Sequence, residues 1–188
     1  MNTFHSTSAP LVVFSHLRWD FVTQRPQHIL RRLVKQRPIL FVEEPVSAAH
    51  KEDHRVAKIF QPEQNLMIIQ PMVEWDTYAA KVGALVRSML EEQNLSTPQL
   101  WFYSPMFVDL IDEVPHRHVI YDCMDELSAY RGAPSSILLN ERVLLARADI
   151  VFTGGRSLYN SKRKRHDNVY CFPSSVDRKH FEKALSTL

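Results

Sequence analysis

Glycine and cysteine are scarce in this sequence, and each scarcity excludes a class of site. The 188 residues contain four glycines and two cysteines. So few glycines leave little material for glycine-rich loops that cradle phosphates. Cys123 and Cys171 have no C-x-x-C spacing, which indicates neither a zinc site nor a disulfide framework, so we expect a reduced compartment.

Long apolar runs and an excess of charge are also missing. No run approaches the roughly 18 apolar residues of a membrane span, and residues 1–10 are polar without basic residues, unlike a signal peptide. We therefore expect a cytoplasmic protein. Its 23 Lys and Arg against 21 Asp and Glu give a formal charge of +2, so no nucleic-acid partner is expected. The 45% hydrophobic and 23% charged content is typical of a globular domain.

Short apolar runs alternate with longer segments of helical period. Each run lacks polar alternation, which is typical of a strand covered on both faces. Residues 46–64 are polar and irregular, and favour either a hairpin or a loop. The predicted strands span residues 11–15, 39–42, 66–69, 100–103, 119–121, 150–153 and 169–172.

Helix signals fill the gaps between these strands. Their predicted starts lie at Pro26, at Asp76 or Thr77, at Ser135 or Ser136, at Ser157 and at Asp177. Apolar residues spaced by three and four predict the inward faces. These residues are Ile29, Leu30 and Leu33; Val82, Leu85, Val86, Met89 and Leu90; Leu138, Leu144, Leu145 and Ala148; and Phe181, Ala184 and Leu185.

This alternation predicts an α/β fold. We expect a doubly wound, mostly parallel sheet of about seven strands, with helices on both faces as in Rossmann-like domains. The length suits one domain of ordinary size. Residues 1–9 are predicted to be a flexible N-terminus, and residues 10–188 a single domain.

Polar residues follow nearly every predicted strand. In a parallel sheet the strands end at one shared edge, where ligands bind, so we expect a cleft for a charged or hydroxyl-rich ligand. No glycine fingerprint follows the first strand, which disfavours NAD or FAD, and we predict no bound metal or cofactor. The candidate residues are His16, Arg18, Trp19, Asp20, Arg25, His28, Glu44, Tyr103, Ser104, Asp122, Asp125, Glu126, Gly154, Gly155 and Arg156.

The basic candidates near the first strand each have a structural alternative. His16 titrates near neutrality and suits proton transfer, or it bonds a neighbouring loop. Arg18 contacts a ligand or forms an internal ion pair with Asp20. Arg25 and His28 donate to an anionic or hydroxylated ligand at a helix start, or they belong to ordinary helix capping.

The acidic candidates are equally open. Asp122, Asp125 and Glu126 can bind sugar hydroxyls or act as a general base, while Asp125 also suits a helix cap. Glu43 and Glu44 are adjacent, so their side chains diverge, and one of them is predicted to be a surface charge.

Two later motifs have a binding and a structural interpretation. Gly154 and Gly155 either offer backbone amides to an anion or form a tight turn. The basic run at residues 162–165 is typical of a solvated helix end, and its alternative partner is an anionic lipid head group. In that case, we expect the protein to contact the inner face of the membrane peripherally.

Seven stretches, in this order, carry a family resemblance that covers almost the whole chain. They are SHLRWD at 15–20, QRPQH at 24–28, FVEEP at 41–45, YDCMDE at 121–126, LLARAD at 144–149, TGGRSL at 153–158 and CFPSSVD at 171–177. Together they resemble the N-terminal, acceptor-side domain of bacterial GT-B glycosyltransferases of the family 1 or family 4-like type.

The resemblance implies two Rossmann domains that face each other across a cleft. This chain would hold the acceptor, and a C-terminal domain, in cis or as a separate chain, would hold the nucleotide sugar. Alone, the chain would be inactive. Many relatives have a histidine after the fourth strand, where Tyr103 and Ser104 stand here, so Asp122 or Asp125 becomes the candidate base alongside His16.

The resemblance predicts a hexosyltransferase-type enzyme that acts in cell-wall or polysaccharide synthesis. Its acceptor would be a sugar or a lipid-linked sugar of the cell envelope or of an exopolysaccharide. The alternative is a non-catalytic Rossmann-like module that binds sugar or docks on a partner subunit. The exposed cleft face also predicts that the isolated domain pairs as a homodimer.

Overall fold

A computed structural model describes residues 8–46, 56–175 and Glu182. Eight strands form one sheet at its centre. They are β1 (Leu11–Ser15), β2 (Ile39–Glu43), β3 (Ala57–Glu63), β4 (Leu66–Pro71), β5 (Gln99–Phe102), β6 (His118–Cys123), β7 (Ile150–Thr153) and β8 (Val169–Cys171). Their order across the sheet is β3-β4-β2-β1-β5-β6-β7-β8.

Within residues 8–46 and 56–175, five α-helices and three short 3-10 turns connect the strands. The helices are α1 (Arg25–Leu33), α2 (Tyr78–Glu92), α3 (Leu110–Glu113), α4 (Ile137–Arg147) and α5 (Arg156–Lys162). The 3-10 turns are Trp75–Thr77, Pro105–Phe107 and Leu127–Ala129. None of the helices in the described residues is long and apolar enough to cross a membrane.

The sheet is parallel except at one edge. All seven predicted strands are present, and every pairing among them is parallel. The additional strand, β3, pairs antiparallel with β4, so a hairpin occupies the later part of the irregular segment. Its turn places Asn65 at φ 64°, a left-handed conformation that asparagine tolerates. The predicted fold class is confirmed.

Alternate residues of the strands pack into two hydrophobic cores, one on each face of the sheet. In β1, Val12 and Phe14 pack with residues of α2, α3 and α4. Leu11 and Val13 point to the other face and pack with Leu30 of α1. This alternation is the period of two that a strand imposes on its side chains, and it explains why both faces of β1 are apolar.

One predicted core residue is exposed. In α4, Ile137, Glu141, Leu144 and Leu145 are buried, whereas Leu138 is 54% exposed. A step of one residue turns the helix by about 100°, which carries Leu138 off the buried face.

Several helix-start predictions also change. Neither Thr77 nor Ser136 makes a side-chain cap bond, and Ser157 lies inside α5, which begins at Arg156. The helix predicted after Asp177 and most of the predicted flexible start lie outside the described residues.

The winding of the sheet changes direction between β1 and β5. The chain leaves β1 for α1 on one face, and it leaves the neighbouring β5 for α3 on the other face. The loops therefore diverge above the carboxyl ends of β1 and β5. In open α/β sheets, ligands bind at such a switch point.

Candidate functional site

Glu43 organises the polar groups beside β1. This residue ends β2 and is 2% exposed. Its Oε2 accepts hydrogen bonds from Arg18 NH1 at 3.0 Å and from Gln70 Nε2 at 3.1 Å, and its Oε1 accepts one from the Trp19 amide at 2.8 Å. Arg18 thus pairs with Glu43, not with the exposed Asp20. One of the adjacent Glu43 and Glu44 was predicted to be a surface charge, but Glu43 is buried and Glu44 is half-buried.

Gln27 holds the same loop from beneath. Its buried Nε2 donates to the carbonyls of Arg18 and Trp19 at 3.3 and 3.2 Å, and its Oε1 accepts the Gln24 amide at 3.0 Å. The Trp19 ring is 4% exposed and packs edge-on against Phe41 at 5.2 Å. Trp19, a predicted ligand contact, therefore anchors the loop from within the core, while Arg18 stays partly open to solvent.

Asp122 is tied to Arg25. The Arg25 Nε lies 3.0 Å from both carboxylate oxygens, and Arg25 NH1 donates to the Phe172 carbonyl at 2.7 Å. The Asp122 side chain is fully buried, and that of Arg25 is 10% exposed. Burial raises the pKa of Asp122, an effect that Arg25 opposes. A carboxylate held in this way links α1 to β6. Asp122 was predicted as a base in the cleft, but the structure shows its side chain buried and bonded to Arg25.

His16 and Asp125 follow β1 and β6, and both are less buried than Asp122. Both side chains are half-buried, and the Nδ1 of His16 has no hydrogen-bond partner within the described ranges. Burial lowers the pKa of His16 below 6.5, and the nearby Asp125 carboxylate partly offsets this. The imidazole is therefore mainly neutral at neutral pH and can accept a proton. Asp125 lies two residues before the Leu127–Ala129 turn, whose capping position is occupied by Glu126.

Glu126 belongs to a buried ionic cluster behind the rim. Its carboxylate lies 2.9 Å from the Lys162 Nζ, which also lies 2.6 Å from Glu141. Glu141 accepts hydrogen bonds from Tyr121 and from Arg165. Lys162 is 1% exposed, so the run at residues 162–165 is not a uniformly solvated helix end.

The two glycines after β7 have different surroundings. A Cβ on Gly154 would lie 2.7 Å from the Met124 carbonyl oxygen, whereas a Cβ on Gly155 would meet nothing within 4 Å. The Gly154 amide also donates to the Cys123 carbonyl at 3.0 Å. Gly154 therefore permits a close crossing of the loops after β6 and β7, as a tight turn requires, and Arg156 beyond it is exposed.

Of the remaining predicted site residues, some are buried inside the domain and others lie at the rim. Ser104 is buried, and its Oγ accepts the Met106 amide at 3.3 Å, which starts the Pro105–Phe107 turn. Tyr103 is also buried beside Asp122, and burial together with that carboxylate raises its pKa. His28 and Glu44 are half-buried at the rim, and burial raises the pKa of Glu44.

Tyr78 and Trp75 were not predicted as site residues. Tyr78 is buried, with its hydroxyl near Glu44 and Arg18, and the ring of the exposed Trp75 lies 5.0 Å from the Tyr78 ring in a tilted orientation. Tyr78 lies at the start of α2, where the spacing of the apolar residues in the sequence predicts a helix and no binding site. Nothing in the local sequence shows that this helix start reaches the end of β2.

An open pocket with a volume of about 480 Å³ lies away from these residues. It is lined by Leu145, Ala146 and residues 163–168. The segment 163–168 leads into β8, so this pocket is at the amino edge of the sheet. It is therefore separate from the rim formed by His16, Arg18, Glu44 and Asp125.

Neither a protein-family model nor a curated protein matches the chain, but solved structures do. A trehalose-6-phosphate structure from E. coli bound with UDP-2-fluoro glucose aligns with a TM-score of 0.62 at 9% identity, over 93% of this chain and 51% of that one. Sucrose-phosphate synthase from Thermosynechococcus elongatus aligns with a TM-score of 0.55 at 10% identity, over 95% and 96%. A trehalose-6-phosphate synthase studied with bisubstrate glycomimetics gives a TM-score of 0.55 at 11% identity, over 92% and 50%.

The likeness at such low identity shows the fold. The chain has the Rossmann-like α/β architecture of a domain of these GT-B glycosyltransferases. It spans about half the length of the two trehalose-6-phosphate structures. Membership of the family 1 or 4-like group stays a prediction.

Proposed function

We propose that this chain is the acceptor-side domain of a glycosyltransferase that moves a sugar from a nucleotide sugar to a cell-envelope or exopolysaccharide acceptor. The observation that carries the proposal is the half-buried rim of His16, Arg18, Glu44 and Asp125 at the switch point between β1 and β5. The fold likeness to glycosyltransferases supports the same reaction class.

The chemistry of sugar transfer suits these groups. An acceptor hydroxyl must be held in line and lose its proton, while the leaving diphosphate is stabilised. His16 is the base in this proposal, because its imidazole is mainly neutral and its side chain is half-buried at the rim. Asp125 stabilises the imidazolium that forms. The exposed Arg156 supplies positive charge for phosphate oxygens.

A second candidate function is a non-catalytic module that binds sugar or docks on a partner subunit. The engagement of Asp122 by Arg25 favours it, because the carboxylate expected to act as base serves the structure instead. In that case the rim binds a saccharide and no proton is transferred.

The test uses the complete gene product with a panel of UDP-, GDP- and dTDP-sugars. We expect transfer from one donor, and His16→Asn should lower kcat by about 10²–10⁴-fold without lowering the melting temperature. His116→Asn is the matched control, because His116 is also half-buried but precedes β6 at the opposite edge. A folded protein that neither binds nor turns over any donor would overturn the proposal. Full activity in His16→Asn would remove His16 from the mechanism.

A further inference from the structure

Trp75 is an exposed aromatic ring at the carboxyl edge of the sheet. Of the three tryptophans, Trp19 and Trp101 are 4% and 8% exposed, whereas Trp75 is 47% exposed. Its ring lies 5.0 Å from Tyr78 and is stacked 6.0 Å from Phe107, with an interplanar angle of 22°. Phe107 is buried and packs near Phe14 of β1. The indole is therefore held by a stack of rings that reaches the core, with much of its surface in solvent.

Tyr78, whose ring lies 5.0 Å from this indole, contributes a buried hydroxyl. The residue is 3% exposed, and its hydroxyl has no hydrogen-bond partner in the described part of the chain. Buried hydroxyls are nearly always bonded, because an unsatisfied one loses its solvation without compensation. Burial raises the pKa of Tyr78, and the neighbouring Glu44 raises it further, so the hydroxyl stays protonated and can donate.

Arg18 and Glu44 complete the polar wall beside Tyr78. Within the described ranges, both hydrogen bonds of Arg18 use NH1, to Glu43 at 3.0 Å and to the Glu44 carbonyl at 2.6 Å. The donors on its Nε and NH2 are left for another acceptor, and the half-buried Glu44 carboxyl can accept. The wall therefore presents both donors and acceptors beside Tyr78.

The charge balance of this wall selects among sugars. The positive charge of Arg18 is already paired with the buried Glu43, and Glu44 adds a further carboxyl. A phosphate group placed here would meet more negative than positive charge. A neutral pyranose ring instead offers C–H groups to an aromatic face and hydroxyls to a polar wall.

We propose that Trp75, Tyr78, Arg18 and Glu44 form a subsite for a neutral pyranose ring of the acceptor. The ring packs on the indole, and its hydroxyls bond to Tyr78, Glu44 and Arg18. This subsite rests on the proposed glycosyltransferase function and specifies its acceptor as an unphosphorylated sugar at this position.

Binding is tested on the 188-residue chain with the methyl glycosides of glucose, galactose and mannose, and with glucose 6-phosphate. Acrylamide quenching of tryptophan fluorescence reports mainly on Trp75, since the other two tryptophans are buried. At about 100 mM, a concentration that detects millimolar dissociation constants, at least one neutral glycoside should protect the fluorescence. The phosphorylated sugar should bind at least about tenfold more weakly. Protection by no glycoside, or equal binding of glucose 6-phosphate, overturns the subsite.

Three variants, followed by NMR titration, separate binding from folding. Trp75→Ala should lower glycoside affinity about tenfold. Tyr78→Phe should lower it severalfold while the melting temperature holds or rises, because the hydroxyl loses no described partner. Tyr170→Ala is the matched control, since Tyr170 is 49% exposed on β8 at the far edge, and it should change nothing. Unchanged affinity in Trp75→Ala or in Tyr78→Phe overturns the subsite.

Failure of the subsite and failure of the glycosyltransferase proposal give different results. If the complete gene product transfers sugar and Trp75→Ala leaves the acceptor KM unchanged, the subsite is wrong and the enzyme proposal stands. If glycosides bind as expected but no donor is bound or used, the enzyme proposal is wrong and the chain is a sugar-binding module.

Discussion

Single charged side chains in this domain fall into two groups according to burial. Arg25, Asp122, Glu43 and Lys162 are buried or nearly so, and each has a charged partner within 3.0 Å. His16 and Asp125 are half-buried at the rim, with no such ion pair in the described part of the chain. A buried charge must be paired because its desolvation is costly, so the first group maintains the fold. In the proposed function, the second group is the one that meets the ligand.

Asp122→Asn distinguishes a structural carboxylate from a catalytic one. The substitution keeps the shape but leaves the Arg25 charge buried without its counter-ion. Removing one partner of a buried ion pair costs several kcal/mol, so the free energy of unfolding should fall by about 3 kcal/mol in urea denaturation.

Two further variants control this experiment. Asp112→Asn removes the exposed Asp112–Arg147 pair and should leave unfolding unchanged. Replacing both partners, as Arg25→Met with Asp122→Leu, should restore much of the lost stability, because no unpaired charge remains. Wild-type stability in Asp122→Asn together with lost turnover would instead return this carboxylate to catalysis.

Glu141 gives the domain an acid-dependent component of stability. Burial raises its pKa, but the hydrogen bonds and charges of Lys162 and Arg165 outweigh that effect, so the net pKa lies below 4.5. A carboxyl with a lowered folded-state pKa contributes stability above its unfolded value, and that stability is lost as pH falls through the folded pKa. The destabilisation caused by Glu141→Gln should therefore shrink as pH falls below 4.5.

Urea denaturation of both proteins at several pH values measures this difference. Glu91→Gln, on the exposed side of α2, is the control and should follow the wild-type profile. A Glu141→Gln deficit that stays constant between neutral and acidic pH would contradict the assignment.

The strand-to-helix connections set how closely neighbouring loops approach. After β7, Gly154 crosses the loop that carries Met124 and Asp125, whereas Gly155 faces open space. The structure therefore requires a residue without a Cβ at position 154, and it shows no such requirement at position 155.

Gly154→Ala and Gly155→Ala are therefore a matched pair. The first places a methyl group 2.7 Å from the Met124 carbonyl oxygen, so the backbone must shift, at a cost of about 1–3 kcal/mol in unfolding free energy. The second should change stability by less than about 0.5 kcal/mol. Thermal and urea unfolding measure both variants, and equal effects would show that the close crossing is not what requires glycine.

The sheet as a whole is least covered at its β3 edge. Every residue of β1 and β2 is buried, whereas six of the seven residues of β3 are exposed. Strands with few buried apolar contacts open locally at a lower free energy than the global unfolding.

Native-state hydrogen exchange should reproduce this order. Amides of β1 and β5 should exchange only with global unfolding, and those of β3 should exchange through a smaller opening with weak dependence on denaturant. Equal protection of β1 and β3 would contradict a marginal edge strand. The short terminal strand β8, with no fully buried residue, should resemble β3.

Most of the architecture was predictable because burial leaves a local pattern. Residues 11–15 and 150–153 were assigned to strands with the bounds that the structure has, since runs of apolar residues with no polar alternation suit a strand covered on both faces. Leu138 was misplaced because both faces of α4 carry leucines, so its period did not define one inward face. β3 was harder to identify because an exposed edge strand has no such apolar run.

The order of residues alone therefore settled the class of fold and the edge at which polar groups gather. The partners of those groups required the folded chain. Arg25 and Asp122 are 97 residues apart, and Arg18 and Glu43 are 25 apart, yet each pair meets at 3.0 Å. A buried strand can be recognised from consecutive apolar residues in the sequence. An ion pair cannot, because its two residues are brought together in space only by the pairing of parallel strands. For the same reason, the proximity of Tyr78 to Glu44 became visible only in the structure, where β4 lies beside β2.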